Sequence, residues 1–293
     1  MPESTITQSY VEQYSAYVHM LAEQQMSRLR FTTVVEPGVG EAFSFERMGT
    51  AGSGPNNSAS VVRERNGETP LTNIEHSRRW AYPVDYAEAT LLDKQDTLRI
   101  LIDPMNKYAM RHASAFGRTW DDRVIEALGG TAMEGKRGTT SVPLPAAQKI
   151  GANSSGLTLE KLLQTKEMLD AAETGMEYPR YIICQAKQIR NLLATTEVTN
   201  QDYNSVKTLV NGEVNTFLGF TFIRLERLPV DSSSDRLCYA YSMPAVGVKV
   251  LMEPSATLSI RGDRLNAMQI LTMGSWGAVR VEDELVVEIA CEE

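Results

Sequence analysis

Side chains suited to a buried face recur at three- and four-residue steps between positions 104 and 128, and this spacing predicts one long amphipathic helix. Asp103 supplies an N-cap acceptor, Pro104 suits the first helical position, and Gly129-Gly130 ends the helix. At 1.5 Å per residue, such a helix spans roughly 37 Å. We therefore expect a spine against which a sheet packs. The positions on the predicted inner face are Met105, Tyr108, Ala109, His112, Phe116, Trp120, Val124 and Leu128.

Strand-like alternation of apolar and polar residues occurs at 41–47 and again at 60–65, on either side of a glycine-rich segment at 49–57. This pattern predicts a long hairpin with a flexible tip. Because a two-stranded ribbon is scarcely stable alone in water, we expect it to dock on a partner through charges of both signs. A hairpin folded back on its own domain is the alternative. The candidate subunit-interface residues are Glu46, Arg47, Arg63, Arg65, Arg78 and Arg79.

The first and central parts of the chain predict two further helices. Thr5 to Arg30 has an amphipathic helical pattern, and such a helix must lie on its own body or on a neighbour. The segment 131–156 is rich in Gly, Ser, Thr and Pro and is predicted to be a loop. A helix is predicted at 157–172, with Thr158 as its N-cap. Its predicted inward positions are Leu159, Leu162, Leu163 and Leu169.

Strands and helices then alternate, which is typical of an α/β subdomain. Strands are predicted at 180–185, 216–225 and 237–241, with a short helix through Leu193 after the first of them. The tail from Ala256 onward is predicted to be mostly β.

The composition favours a globular protein that carries no basic surface. Of 293 residues, 42% are hydrophobic and 23% are charged, and the net charge of −8 argues against general nucleic-acid binding. The three cysteines (Cys184, Cys238 and Cys291) lie in apolar runs and are expected to be buried thiols in a reducing compartment. The amino terminus lacks the pattern of a signal peptide, and no apolar run approaches the ~18 residues of a membrane span.

The sequence contains no complete catalytic motif. The segment 130–137 nearly matches the phosphate-binding loop G-x-x-x-x-G-K-[ST], but Arg137 replaces the required hydroxyl residue and the segment follows a helix. His19, His76 and His112 are far apart in sequence, and His112 is expected to be a hydrogen-bonded core residue. We predict no catalytic, metal-binding or cofactor-binding residue, and no enzymatic activity. A soluble α/β enzyme that binds a nucleotide near Lys136 is the alternative from another class.

Short sequence motifs in a fixed order carry a resemblance to a known family. The chain resembles, over nearly its whole length, the major capsid protein of tailed phages with the Hong Kong 97-type fold. The motifs are Tyr10-Val-Glu-Gln-Tyr14, His19-Met-Leu21, Arg28-Leu-Arg30, Thr69-Pro-Leu71, His76-Ser-Arg-Arg79, Leu98-Arg-Ile-Leu-Ile-Asp-Pro104, Gly117-Arg-Thr-Trp-Asp-Asp122 and Ala278-Val-Arg-Val-Glu-Asp283.

The resemblance implies an α+β fold of four parts. Residues 1–40 would form an amino-terminal arm and 41–92 an extended β-hairpin loop lying on the neighbouring subunit. Residues 93–156 and 246–293 would form a peripheral domain with the spine helix and a β-sheet, and 157–245 an inserted α/β axial domain.

The resemblance also implies function and partners. The subunit would assemble into homo-pentamers and homo-hexamers of an icosahedral shell that encloses double-stranded DNA without sequence-specific binding. Its partners would be a separate scaffolding protein, a portal at one vertex and, in some shells, a decoration protein, with no membrane involved. Assembly would occur in the bacterial cytoplasm, and the mature location would be the virion capsid. An encapsulin-like cellular compartment is the alternative with the same fold.

One departure from the family concerns covalent cross-linking. The best-known member joins its subunits through isopeptide bonds from a lysine of the extended loop. This chain has no lysine before Lys94. We therefore expect a non-covalent shell.

Overall fold

A computed structural model describes residues 23–49, 59, 71, 73–93, 105–172, 177–194 and 216–292. These residues form a mixed α+β fold, which confirms the predicted class. The described α-helices are α1 (Met105–Gly129), α2 (Leu159–Ala171) and α3 (Ala186–Ala194).

Helix α1 is the predicted spine, and it extends over 25 residues. The sequence pattern identified its inner face correctly, because five of the predicted positions are buried: His112, Phe116, Trp120, Val124 and Leu128. The helix ends at the double glycine, where the Gly130 amide donates to the Glu126 carbonyl at 2.8 Å. Asp103 and Pro104, the predicted start, lie outside the described residues.

The first sheet packs on the spine helix and has the strand order β1-β12-β13-β4. Its strands are β1 (Val34–Pro37), β4 (Val84–Leu92), β12 (Val246–Arg261) and β13 (Ala267–Arg280). Trp276 of β13 is 1% exposed, and its ring lies 5.3 Å from that of Trp120 and 4.6 Å from that of Tyr86. Aromatic pairs at these distances stabilise the packing beyond the contribution of the area that each ring buries. They fix the helix on the sheet.

His112 is a hydrogen-bonded core residue, as predicted. Its Nε2 lies 2.8 Å from the Thr90 hydroxyl and its Nδ1 lies 3.2 Å from the Thr272 hydroxyl. The ring therefore joins the helix to two neighbouring strands, and no buried nitrogen of this side chain is left without a partner.

The second sheet has the order β7-β14-β11-β8-β10-β9, and helix α2 packs on β14. Its strands are β7 (Lys149–Ile150), β8 (Arg180–Cys184), β9 (Thr216–Phe217), β10 (Phe220–Arg224), β11 (Arg236–Ser242) and β14 (Val286–Cys291). Every residue of β8 and β14 is buried. The closing strand β14 thus pairs with β11, a strand of the segment expected to be inserted, and with β7, which precedes that segment. The division into domains itself stays a prediction.

The third sheet is small and has the order β2-β3-β5-β6. Its strands are β2 (Phe43–Met48), β3 (His76–Ala81), β5 (Ala132–Glu134) and β6 (Thr140–Val142). Strand β2 agrees with the strand predicted at 41–47, and it pairs antiparallel with β3, a strand that the sequence pattern did not predict. We call β2 and β3 the base of the hairpin. The returning strand predicted at 60–65 and most of the tip lie outside the described residues. The prediction of a loop at 131–156 is partly wrong, because this segment contributes β5, β6 and β7.

Several local predictions are confirmed. Thr158 caps α2, with its hydroxyl accepting from the Lys161 amide at 3.4 Å. Strand β8 is followed directly by α3, as the pattern indicated. The tail is mostly β, although its first strand begins ten residues before the predicted start at Ala256.

Three local predictions are wrong. Leu163, expected inside, is 49% exposed. The strand expected at 216–225 is split into β9 and β10 by a tight turn at Leu218-Gly219, where both residues have positive φ (53° and 87°). The helix expected to reach Arg30 does not include residues 23–29, whose backbone bonds to the spine helix instead. Residues 5–22 of that prediction lie outside the described residues.

Candidate assembly surfaces

The base of the hairpin carries most of the described candidate interface residues. Glu46 and Arg78 stand opposite each other on β2 and β3, and their charged groups are 2.8 Å apart at the surface. Arg47 lies 3.7 Å from Glu134 of β5. Arg63 and Arg65 lie outside the described residues. The base therefore presents charges of both signs.

Arg79, another candidate, is placed differently because it is 1% exposed within its own subunit. Its guanidinium lies 2.6 Å from Asp283 and 3.5 Å from Glu134. Asp283 also accepts from Arg280 at 2.6 Å. One carboxylate is thus shared by two buried arginines, which joins the loop base to the tail of the chain.

Arg280 extends this contact to the end of the spine helix. Its guanidinium donates to the carbonyls of Leu128, Gly130 and Val142 at 2.9, 2.6 and 3.0 Å. The last carbonyls of a helix lack partners within the helix and carry partial negative charge, so they favour a cation there. The buried group Arg79–Asp283–Arg280, which we call the anchor, therefore joins strand β3 to strand β13 and to the end of the spine helix.

A second contact fixes the segment that follows the amino-terminal region. Asp121 of the spine helix is fully buried and accepts from the amides of Arg28 and Leu29, both at 3.0 Å. The Ser27 hydroxyl donates to it at 2.6 Å, and the Gln24 side-chain amide also donates to it. We call this carboxylate with its donors the latch.

The backbone at the latch lies so close to the helix that residue 117 must be glycine. A Cβ on Gly117 would be 2.8 Å from the Ser27 nitrogen. On the same side of the helix, Arg111 and Arg118 hold Glu23 at 2.5 and 3.0 Å. The Arg111 hydrogen bond and the two positive charges hold the pKa of Glu23 below its usual range. The segment 23–29 is therefore tied to the spine helix over two turns.

The sequence did not identify either contact. Asp121 and Asp122 are adjacent on the helix and cannot face each other, so the sequence indicates no role for the pair. Arg280 and Asp283 carried no signal beyond their place in a family motif. The pairing of Asp283 with Arg79, and that of Asp121 with residues 24–29, join partners that are distant in sequence, so spacing along the chain could not reveal them.

The nucleotide alternative gains no support from the backbone at 130–137. Strand β5 begins at Ala132, and residues 135–138 form the turn of a small hairpin with β6. A phosphate-binding loop requires a strand before it and a helix after it. In the described part of the chain, no group of three or more His, Cys, Asp or Glu side chains is arranged to hold a metal ion.

The cysteines are buried, as predicted. Burial raises the pKa of Cys184 to about 12, which keeps that thiol protonated and unreactive. Among the described helices, none has the length and apolarity needed to cross a membrane.

The fold is that of tailed-phage capsid proteins of the Hong Kong 97 type. It is similar to the capsid of cyanophage P-SCSP1u, with a TM-score of 0.78 and 15% identity over 99% of this chain and 95% of that one. For cyanophage Pam1 the TM-score is 0.71, with 15% identity over 99% and 98%. For Ralstonia phage GP4 it is 0.73, with 9% identity over 97% and 96%. No curated protein has a matching sequence.

The family is shown by a sequence model, that of the phage capsid proteins, which matches residues 6–293. The chain belongs to this family. Members are structural proteins, whereas the absence of enzymatic activity in this chain stays a prediction. The resemblance found from short motifs is confirmed.

The anchor generates a prediction about subunit stability. Asp283→Ala would leave two buried guanidinium groups without their carboxylate, and breaking a buried ion pair in this way costs about 3–5 kcal/mol. Denaturant unfolding of the soluble subunit measures the loss. Glu46→Ala removes an exposed pair and should change the free energy of unfolding by less than about 1 kcal/mol. Equal effects of the two substitutions would contradict the anchor.

The latch generates a second prediction. Asp121→Asn keeps the shape of the side chain but replaces one acceptor oxygen by a donor, which should cost about 1–3 kcal/mol. Trypsin should then cleave after Arg28 and Arg30 faster than in the unchanged protein. Asp122→Asn is the matched control, because Asp122 is half exposed and pairs only with Arg227 among its described contacts. Equal cleavage rates in both variants would argue against the latch.

Proposed function

We infer that this chain is the major capsid protein that forms the shell of a bacteriophage virion. The single observation that carries the inference is the family model, which spans almost the whole chain. The fold supports it, because nearly the whole chain matches solved phage capsid subunits with TM-scores above 0.7. The subunit associates with copies of itself.

We propose further that the shell is icosahedral and is built of homo-pentamers and homo-hexamers around double-stranded DNA. The net charge of −8 supports a shell that encloses DNA without binding it tightly, because a basic lining would bind the DNA by releasing counterions. A separate scaffolding protein, a portal and assembly in the bacterial cytoplasm belong to the same proposal. So do the four segments: arm, extended loop, peripheral domain and axial domain.

Within this proposal, the extended loop contacts the neighbouring subunit through its charges. Glu46, Arg47 and Arg78 support this role, since each lies at the base of the hairpin and is at least partly exposed. Arg63 and Arg65 are proposed on the sequence pattern alone. Arg79 serves the loop from inside the subunit, through the anchor, and positions the charges that reach the partner.

Electron microscopy of the purified full-length chain tests the main proposal. We expect closed shells or capsomer rings, alone or after co-expression with the proposed scaffolding protein. Denaturing gels of the particles should show one band near 32.5 kDa, because no lysine is available before Lys94 for a cross-link from the loop. Failure to assemble with the scaffolding protein would overturn the function. Covalent ladders would contradict the non-covalent shell alone.

Reversing the charge of individual loop arginines tests the proposed contact with the neighbouring subunit. Arg78→Glu places two carboxylates opposite each other on β2 and β3 of the loop base, and we expect a lower particle yield while the subunit stays soluble. Arg63→Glu should act in the same direction. Lys187→Glu, on the exposed face of α3, is the control for a change of net charge alone. Normal yield from both loop variants would argue against the charged contact.

A further inference from the structure

Over its second half, the outer edge of β12 pairs with no other strand among the described residues. Strand β1 pairs with β12 only at 247–250, and the last contact beyond it is the bond from the Gly38 amide to the Val250 carbonyl at 2.8 Å. In the described ranges, no strand lies on the outer side of 251–261, and each of these residues is exposed. An uncovered edge presents unpaired N–H and C=O groups that can pair with another chain.

Apolar and hydroxyl side chains alternate along this edge, although the strand is exposed on both faces within the subunit. From Ser255 to Arg261 the strand keeps a continuous register with β13, so its side chains alternate between two faces. One face carries Ala256, Leu258 and Ile260, and the other carries the three hydroxyl residues Ser255, Thr257 and Ser259. Leu258 is 66% exposed and Ile260 is 69% exposed.

Charges of opposite sign stand near the two ends of the same edge. Glu253 lies before the alternating segment and Arg261 ends it. Each has a partner in its own subunit, since Glu253 lies 2.6 Å from Arg30 and Arg261 lies 2.7 Å from Asp263. All four side chains are about half exposed, so these pairs are weak and can accept a further charge.

We propose that this edge is a two-fold contact at which β12 of one subunit pairs antiparallel with β12 of a second copy. The inference rests on the proposed function, in which the subunit assembles with itself. With Thr257 on the two-fold axis, the regular stretch from Ser255 to Ser259 pairs with the same stretch of the partner subunit. Glu253, which lies in the register shift before Ser255, then lies near Arg261 of the partner subunit, and the same approach recurs on the other side of the axis. Leu258 then lies beside the partner's Ala256 on one continuous apolar face.

The order of charges selects this arrangement over its alternatives. A parallel pair in register would set each charge beside its own copy, and like charges directly opposite each other are destabilising. A two-fold contact uses the same surface on both subunits, so that surface must be self-complementary. The edge from Glu253 to Arg261 meets this requirement in charge and in the alternation of its faces.

A charge exchange tests the pairing. Arg261→Glu brings two carboxylates near each other on both sides of the axis, and we expect about a tenfold loss of particle yield. The double variant Glu253→Arg/Arg261→Glu restores opposite charges across the contact and should give a higher yield than the single variant, with full recovery prevented because both substitutions also break the weak pairs with Arg30 and Asp263 inside the subunit. Thermal unfolding of the soluble subunits checks that each variant folds. A double variant that is no better than the single one would overturn the antiparallel register.

A cysteine at the axis tests the geometry directly. Residues directly opposite in an antiparallel pair have Cβ atoms about 4.5–5.5 Å apart, close to the separation that a disulfide spans. Thr257→Cys in assembled particles should therefore give, on mild oxidation, a non-reducing band at about 65 kDa, twice the 32.5 kDa of the subunit. Leu91→Cys, 47% exposed on the opposite edge strand β4, should remain a monomer.

The outcomes separate this inference from the function on which it rests. Particles that form normally but give no Thr257→Cys dimer overturn the β12 contact and leave the shell in place. Equal cross-linking of Leu91→Cys also overturns it, because chance collision would then explain both bands. A Thr257→Cys adduct with a different protein would assign the edge to that partner instead. Failure of the unchanged chain to assemble contradicts the function itself.

Discussion

The sharing of one carboxylate between two buried arginines sets the geometry on which the rest of the subunit depends. Asp283 forms ion pairs with Arg79 of strand β3 and with Arg280 of strand β13 in the first sheet. Arg280 in turn donates hydrogen bonds to carbonyls at the end of the spine helix. Strand β3, the segment after β13 and the spine helix thus meet at one charged group. If that group were replaced by apolar side chains, the same elements could pack in several relative orientations, because hydrophobic contact has no direction.

Buried ions are a costly way to join elements, and their use here has a structural reason. Removing charges from water carries a penalty that attraction between them only partly offsets, so a buried pair is weak support for stability. What it adds is a fixed orientation. Here that orientation is the angle of strands β2 and β3 relative to the end of the spine helix. The latch at Asp121 supplies the same restraint to the segment at 23–29, at another point on the helix.

The parts of the fold that sequence predicted are those whose signal is local. The spine helix followed from repeated spacing, the N-cap at Thr158 from a single residue before an apolar pattern, and the core role of His112 from its place on that pattern. What failed depended on distant partners. Strand β4 was missed because Asp85 and Glu88 interrupt its apolar pattern and its pairing with β13 comes from far along the chain.

Buried polar residues illustrate the same limit. Lys161 lies on a surface-like position of a charged helix, yet it is 4% exposed and its ammonium donates to the carbonyls of Ala152, Ser155, Gly156 and Ala290. Burial lowers its pKa, while four acceptors keep its donors satisfied. No property of the helix sequence distinguishes this lysine from an exposed one. The strand that it contacts lies more than a hundred residues away.

The uncovered β12 edge shows how one surface can suit both the free subunit and the shell. A long apolar edge strand is a hazard in a soluble protein, and proteins usually guard it with charges, proline or bulges. Here Pro254 and two register shifts disturb the inner end, and charges stand at both ends, so only a short stretch is open to pairing. A contact of that size is weak for two subunits in solution. It becomes effective when many copies close a symmetric assembly, because each subunit is then held by several such contacts at once.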